Sequence, residues 1–185
     1  MGKRTRNTWK QIGIAGFFIL LAVGGRTVFH VGPNIELLTT STLLASTYLR
    51  KNIAFFVPLV SVALSDFILG NSSIYLFTWS AWIIIGVAST VLQGVKYKKG
   101  QTVLYATGWS IGTTGFFFLW TNFGVWLQGW YGTTIMGLFQ SYYRGIPFLL
   151  NQLAGNLLFV PLFFLVAEIA ASFLSEKKRV FSLRP

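Results

Sequence analysis

Ile74–Leu92 reads IYLFTWSAWIIIGVASTVL, nineteen residues without a formal charge. A helix that crosses the hydrocarbon core of a bilayer needs about 20 consecutive, mostly apolar residues, so this stretch predicts a spanning helix. The preceding run, Asn52–Gly70 (NIAFFVPLVSVALSDFILG), carries a single acid, Asp66, and reads the same way. Working outward, comparable runs lie near residues 9–25, 35–49, 102–120 and 146–174. The run at 35–49 is short and rich in Thr39, Thr40, Ser41, Thr42, Ser46 and Thr47, as suits a helix buried among others, where hydroxyl residues pack closely and bond within their own helix. The run at 146–174 exceeds one crossing, so it tilts or begins outside the hydrocarbon. The expectation is an all-α integral membrane protein with six transmembrane helices over residues 11–174, flanked by basic tails at 1–10 and 175–185.

Composition agrees. Of the 185 residues 54% are hydrophobic, 17% aromatic and only 10% charged, against about 25% charged in an ordinary soluble domain. Basic residues outnumber acids 15 to 4, and their placement decides what that excess means. With six crossings one side holds Lys3, Arg4, Arg6, Lys10, Arg50, Lys51, Lys96, Lys98, Lys99, Lys177, Lys178, Arg179 and Arg184, which is 13 of the 15. The other side has Arg26 and Arg144. The positive-inside rule therefore puts both termini in the cytoplasm. A nucleic-acid partner would need a basic face on a folded domain, and these residues are dispersed between apolar spans. A second reading of the N-terminus stays open, because basic residues followed by Ile12–Val23 and small residues also resemble a cleavable signal peptide.

On that topology the outer side collects the unusual residues. The connection Thr121–Gly145 is expected to be an aromatic outer loop between the fifth and sixth helices, holding Phe123, Trp126, Trp130, Tyr131, Phe139, Tyr142 and Tyr143. It reads either as an interfacial aromatic belt or re-entrant segment, or as a lid whose flat rings contact an organic ligand. Glu36 and Asp66 lie about one turn inside the outer boundary, where an unpaired carboxylate is costly and faces a partner or a cavity. Pairing with Arg26 or Arg144 is one reading; the polar end of an outward-facing pocket is the other. Asn34, Asn71, Asn122, Asn151, Gln152 and Asn156 sit at this level too and supply donors and acceptors. The inner half has Glu168, read as a structural acid near Lys177 and Lys178. Polar groups confined to one half do not make a channel, which needs a lined path through both.

Weaker signals concern packing. Gly108/Gly112, Ser61/Ser65, Ser41/Ala45 and Ala167/Ala171 are small-xxx-small pairs of the kind found at helix seams. Pro58 and Pro161 are expected to kink their helices. Both occur in Phe-Val-Pro-Leu, at Phe56–Leu59 and Phe159–Leu162, as a 3+3 inverted repeat or coincidence would produce. The absence of cysteine excludes disulfides, thiolate metal sites and cysteine nucleophiles, and His30 stands alone, so no metal, cofactor or enzymatic set is expected.

Several motifs carry a family resemblance: His30-x-x-Pro33-Asn34, Pro58-Leu59 with Ser65-Asp66 and Gly70, Thr121-Asn122-Phe123-x-Val125-Trp126, Tyr131-x-x-Thr134-x-x-Gly137-Leu138, Tyr142, Pro147-Phe148-x-x-Asn151 and Gly155-Asn156. Over residues 26–165 the chain resembles a bacterial group of small membrane transport proteins of unknown function, similar in layout to the substrate-binding S components of energy-coupling factor (ECF) transporters. It departs from the group's pattern at Val31 and Gly132, where proline is usual, and at Asn156, where aspartate is. The resemblance implies a protein that binds a vitamin- or nutrient-like solute from outside and works with a transmembrane coupling subunit and ABC-type ATPases. The chain has no Gly-rich Lys-Ser/Thr phosphate loop of its own. The expected site is Asn34, Asp66, Asn122, Trp126, Trp130, Tyr131, Tyr142 and Asn151, with Asp66 and the amides fixing polar groups and the rings stacking on a flat moiety. Two rivals stand beside it: a non-transporting scaffold of envelope or cell-shape machinery, and a stand-alone carrier coupled to ions through Asp66 or Glu36.

Overall fold

A computed structural model describes residues 3–29, 32, 34–35, 37–70, 73–93 and 100–182, with side chains described from 8 to 173 within them. His30, Val31, Pro33, Glu36, Asn71 and the lysines at 96, 98 and 99 lie outside the described residues, as do the side chains of Lys3, Arg4, Arg6 and the basic C-terminal residues. Every regular element among the described residues is helical: α1 (Lys3–Thr27), α2 (Leu38–Tyr48), α3 (Lys51–Ala54), α4 (Phe56–Leu69), α5 (Tyr75–Ser89) with a 3-10 turn (Thr90–Leu92), α6 (Gln101–Leu127) and α7 (Ile135–Ser182). The helices α1 and α7 continue into both basic tails.

Four helical segments are long and apolar enough to cross a membrane: Thr8–Thr27, Lys51–Leu69, Tyr75–Leu92 and Ile135–Phe173. Their outward faces carry large apolar side chains with nothing over them, among them Phe67 at 91% exposure and Leu20 at 73%. Water would penalise such a surface, and a lipid solvent removes the penalty while requiring the backbone to bond internally, as helices do.

The other two expected crossings differ. With 11 residues α2 is about 16 Å long, roughly half the ~30 Å of hydrocarbon, so it is a short central helix. Leu38 through Ser46 are all buried, enclosed by α1, α4, α5, α6 and α7. Thr42 and Thr47 donate to the carbonyls four residues back at 2.8 Å, which is how a hydroxyl-rich helix tolerates an apolar setting. The length of α6 suffices, at 27 residues, but its Thr, Ser and Gly residues dilute its hydropathy.

Pro58 interrupts the hydrogen bonding of its helix for one residue, Phe55, whose backbone stays helical at φ −57° and ψ −37°. Without an N–H it cannot bond the Ala54 carbonyl, and its ring crowds that carbonyl, so the helix begun at Lys51 is interrupted at Phe55 and resumes as α4. Pro161 lies within an unbroken α7, so the two Phe-Val-Pro-Leu copies occupy unlike settings.

The expected outer loop Thr121–Gly145 is largely helical. Continuing to Leu127, α6 is followed by the link of residues 128–134, and α7 starts at Ile135. Gly129 and Gly132, at φ of 73° and 79°, make the turn in the left-handed region that favours glycine. Hydropathy drops in this stretch because Asn122, Gln128 and the tyrosines are polar, but no proline precedes Gly129 within it, and Gly124 is accommodated within α6. The resulting antiparallel hairpin is the most extensive helix–helix contact of the molecule. Asn156, 1% exposed, donates to Thr114 Oγ1 at 2.8 Å across it. Glu168 accepts from the Gly100 N–H at 3.1 Å, an acid placed at the N-terminus of α6 where unsatisfied amides favour it; the expected neighbours Lys177 and Lys178 have side chains outside the described residues.

The two ends of the bundle are distinct. One gathers Gln11, Leu49, Arg50, Gln93, Gly100 and Glu168, with Gln11 Oε1 accepting from the Arg50 N–H at 2.9 Å. Exposed Lys10 and Lys51 belong to this end. The opposite end holds Arg26, Asp66, Ser73 and Trp130.

Candidate functional site

Asp66 is the most constrained polar residue at the Arg26 end. It stands on the last turns of α4, 8% exposed, where α1 and α5 close on it. Arg26 Nη1 donates to Oδ1 at 2.9 Å and Trp79 Nε1 donates to Oδ2 at 2.7 Å. The same Nη1 donates to Ser65 Oγ at 2.6 Å, and Ser65 Oγ lies 2.8 Å from the Ser61 carbonyl. Both carboxylate oxygens are thus occupied and their charge is offset, so of the two readings of this acid the arginine pair is the one present.

Beside that pair lies a cavity of about 320 Å³, bounded by α1, α5, α6, α7 and the 128–134 link. Its polar lining includes Arg26, Asn34, Thr78, Asn122, Arg144 and Gln152, and its apolar walls include Phe117, Phe118, Trp130, Tyr131 and Phe148. Several anchors keep the wall open. The Trp130 Nε1 donates to Ser73 Oγ at 3.0 Å, tying the hairpin tip to the turn before α5. Asn122 Nδ2 donates to the Phe118 carbonyl at 2.8 Å, which directs its amide between α6 and α7. That amide fits because residue 145 is glycine: a Cβ there would stand 2.7 Å from Asn122 Nδ2. Asn34 sits at φ 61°, a left-handed position that asparagine adopts more readily than most residues.

Among the described residues, charge within the cavity is one-sided. Asp66 answers Arg26, whereas exposed Arg144 has no carboxylate partner among the described residues. Its guanidinium lies 5.3 Å from the centroid of the Tyr131 ring, a cation–π contact that leaves the in-plane N–H donors available. Gln152 is 3% exposed, lines the cavity and has no hydrogen-bond partner among the described residues. Its amide faces the cavity, where water or a solute can bond it.

The expected site residues fall into two groups. Asn34, Asn122, Trp130 and Tyr131 line the cavity together. Asp66, Trp126, Tyr142 and Asn151 do not: Asp66 is behind Arg26, Trp126 Nε1 donates to the Thr134 carbonyl at 3.0 Å, and the Tyr142 hydroxyl donates to the Leu119 carbonyl at 3.0 Å. The α7 residues on the cavity wall are Ser141, Arg144, Gly145, Phe148, Leu149 and Gln152, and Asn151 is off that stripe. The helical spacing of Arg144, Phe148 and Gln152, four apart, carries the signal for this stripe once the segment is read as helix. No group of three His, Cys, Asp or Glu side chains suited to a metal occurs among the described residues.

The fold and cavity define the class: an all-helical chain with four helices long and apolar enough to cross a membrane and a ring-lined polar cavity at one end. The chain belongs to a family of unknown function, DUF6580, whose sequence model matches residues 6–179. No curated protein and no solved structure matches it.

Proposed function

We propose that the protein is a membrane substrate-binding protein that captures a small organic solute in the cavity beside Arg26 and Asp66. The observation that carries this reading is the combination of aromatic walls with a buried, unbonded amide, Gln152. Ligand sites are mostly apolar, with a few placed polar groups, and occupy roughly 300–1,000 Å³, and this cavity is at the small end of that range. On the six-crossing topology the cavity faces outward and the basic end, with Lys10, Arg50 and Lys51, faces the cytoplasm. By its resemblance to ECF S components the protein would deliver its solute through a transmembrane coupling subunit driven by ABC-type ATPases. Affinity purification from the native membrane, with mass spectrometry of proteins and small molecules together, tests this. ATPase and coupling subunits with a bound solute are expected; envelope or cell-shape proteins with no solute would refute it.

One observation favours the scaffold reading for part of the site. Asp66, Trp126 and Tyr142 spend their polar atoms on internal bonds, as purely architectural residues do. Gln152 and Arg144 are what that reading leaves without a purpose. An ion-coupled carrier working through Asp66 requires an acid free to change partners, and the Arg26 and Trp79 bonds weigh against it.

A further inference from the structure

The solute's chemical class follows from how the cavity's charges and amides are spaced, and the inference rests on the capture reading above. Arg26 is matched by Asp66, which leaves Arg144 as the lining cation without a carboxylate among the described residues. It stands at the mouth, with its guanidinium spread on Tyr131. Gln152 is on the same helix eight residues deeper, about 12 Å along the axis, buried and without a bond. Between them the cavity is walled by Phe117, Phe118 and Phe148. The volume of about 320 Å³ equals that of roughly ten bulk waters at ~30 Å³ each.

We infer that this cavity binds a small organic anion with its charged group on Arg144, a flat ring system between the phenylalanines and a hydrogen-bonding group at its far end on Gln152. A guanidinium already stacked on a ring loses little freedom when it pairs with a carboxylate or phosphate, because its planar donors are fixed in direction. A cationic solute would meet the positive charge of Arg144, which no carboxylate faces among the described residues. A neutral solute would gain no charge-assisted bond from it. The anionic group belongs to a soluble acid or to a lipid headgroup, and the two sources share this chemistry.

The probe is 6-hydroxy-2-naphthoate, an anion, a flat double ring and a distal hydroxyl in one molecule, compared with 6-hydroxy-2-naphthamide and 2-naphthoate. Binding is read as tryptophan quenching of the full-length protein in phosphatidylcholine nanodiscs. Saturable binding of the acid is expected, at least about tenfold tighter than the amide, as loss of a charge-assisted bond predicts. Arg144→Gln should make acid and amide equal, and Arg144→Lys should keep part of the difference, which separates lost charge from lost folding. Gln152→Leu should abolish the preference for the hydroxylated acid over 2-naphthoate. If phosphatidylglycerol in place of phosphatidylcholine weakens acid binding in the wild type but not in Arg144→Gln, the anion at this site is a lipid headgroup; no such effect identifies a soluble acid. No saturable binding, equal binding of acid and amide by the wild type, or an unchanged preference in Arg144→Gln overturns the inference. A neutral or cationic solute co-purifying with the native protein also overturns it while leaving capture intact. Selective naphthoate binding by a protein that purifies with envelope proteins and no solute refutes capture and not this site.

Discussion

Replacing Asp66 by asparagine tests whether the acid holds the end of the bundle together. The side chain keeps its shape, but Arg26 loses its charge partner and one of the two donors, Arg26 Nη1 or Trp79 Nε1, now faces an amide NH2. The pair is well shielded, with side-chain exposures of 19% for Arg26 and 9% for Asp66 at 2.9 Å. Removing one partner of a buried pair costs about 3–5 kcal/mol. Arg26 retains Ser65 Oγ at 2.6 Å and is the more solvated partner, so the low end applies, about 3 kcal/mol, a factor of roughly a hundred in the folding equilibrium. Trp79→Phe removes one bond to a charged acceptor and should cost about 1.5 kcal/mol. The double variant should cost less than the sum by about 0.5 kcal/mol or more, since both act on one carboxylate. Sodium dodecyl sulfate titration from mild detergent, followed by circular dichroism, reads all three. Asp66→Asn within about 0.5 kcal/mol of wild type, or strict additivity, would refute the reasoning.

Other consequences of the packing are as direct. Gly145→Ala should destabilise by about 1–3 kcal/mol because its Cβ meets the Asn122 amide, and Asn122→Ala in the same chain should restore most of the loss in the same titration. Asn156→Ala should cost about 1–2 kcal/mol by leaving Thr114 without its cross-hairpin donor, with much less effect in a Thr114→Ala background. Trp82→Phe should change stability by under about 1 kcal/mol, because the buried Nε1 it removes has no partner among the described residues and its loss offsets the lost volume; a cost above about 2 kcal/mol would mean that atom is bonded.

Much of this architecture is legible in the chain itself. Ile74–Leu92 and Asn52–Gly70 announce membrane helices because hydropathy is a local property, and the same is true of the first and last runs. The Arg26–Asp66 pair was one of two readings of a near-terminal acid, and deciding between them required knowing that α1 and α4 lie side by side, 40 residues apart in sequence. Length, not polarity, keeps α2 out of the helices long enough to cross a bilayer by themselves, and length depends on where Leu49 ends the helix. The Thr121–Gly145 stretch misleads because aromatic and polar side chains at an interface look alike in a loop and on a helix. Read as helix, the same stretch puts Arg144, Phe148 and Gln152 on one stripe, with Asn151, one residue and about 100° from Gln152, off it.

The central claim is that the cavity beside Arg26 and Arg144 holds a solute, and blocking it tests that most directly. Thr78 is half-buried on the cavity wall and bonds only its own helix, at 3.4 Å to the Ile74 carbonyl, so Thr78→Phe fills space without breaking a pairing between helices. Mass spectrometry of small molecules released from equal amounts of wild-type protein and Thr78→Phe, purified from the same membranes and matched for unfolding midpoint, is the measurement. An organic solute from the wild type, absent or strongly depleted in the variant, is the predicted result. No solute from the wild type, or the same solute in equal amount from both, would contradict it.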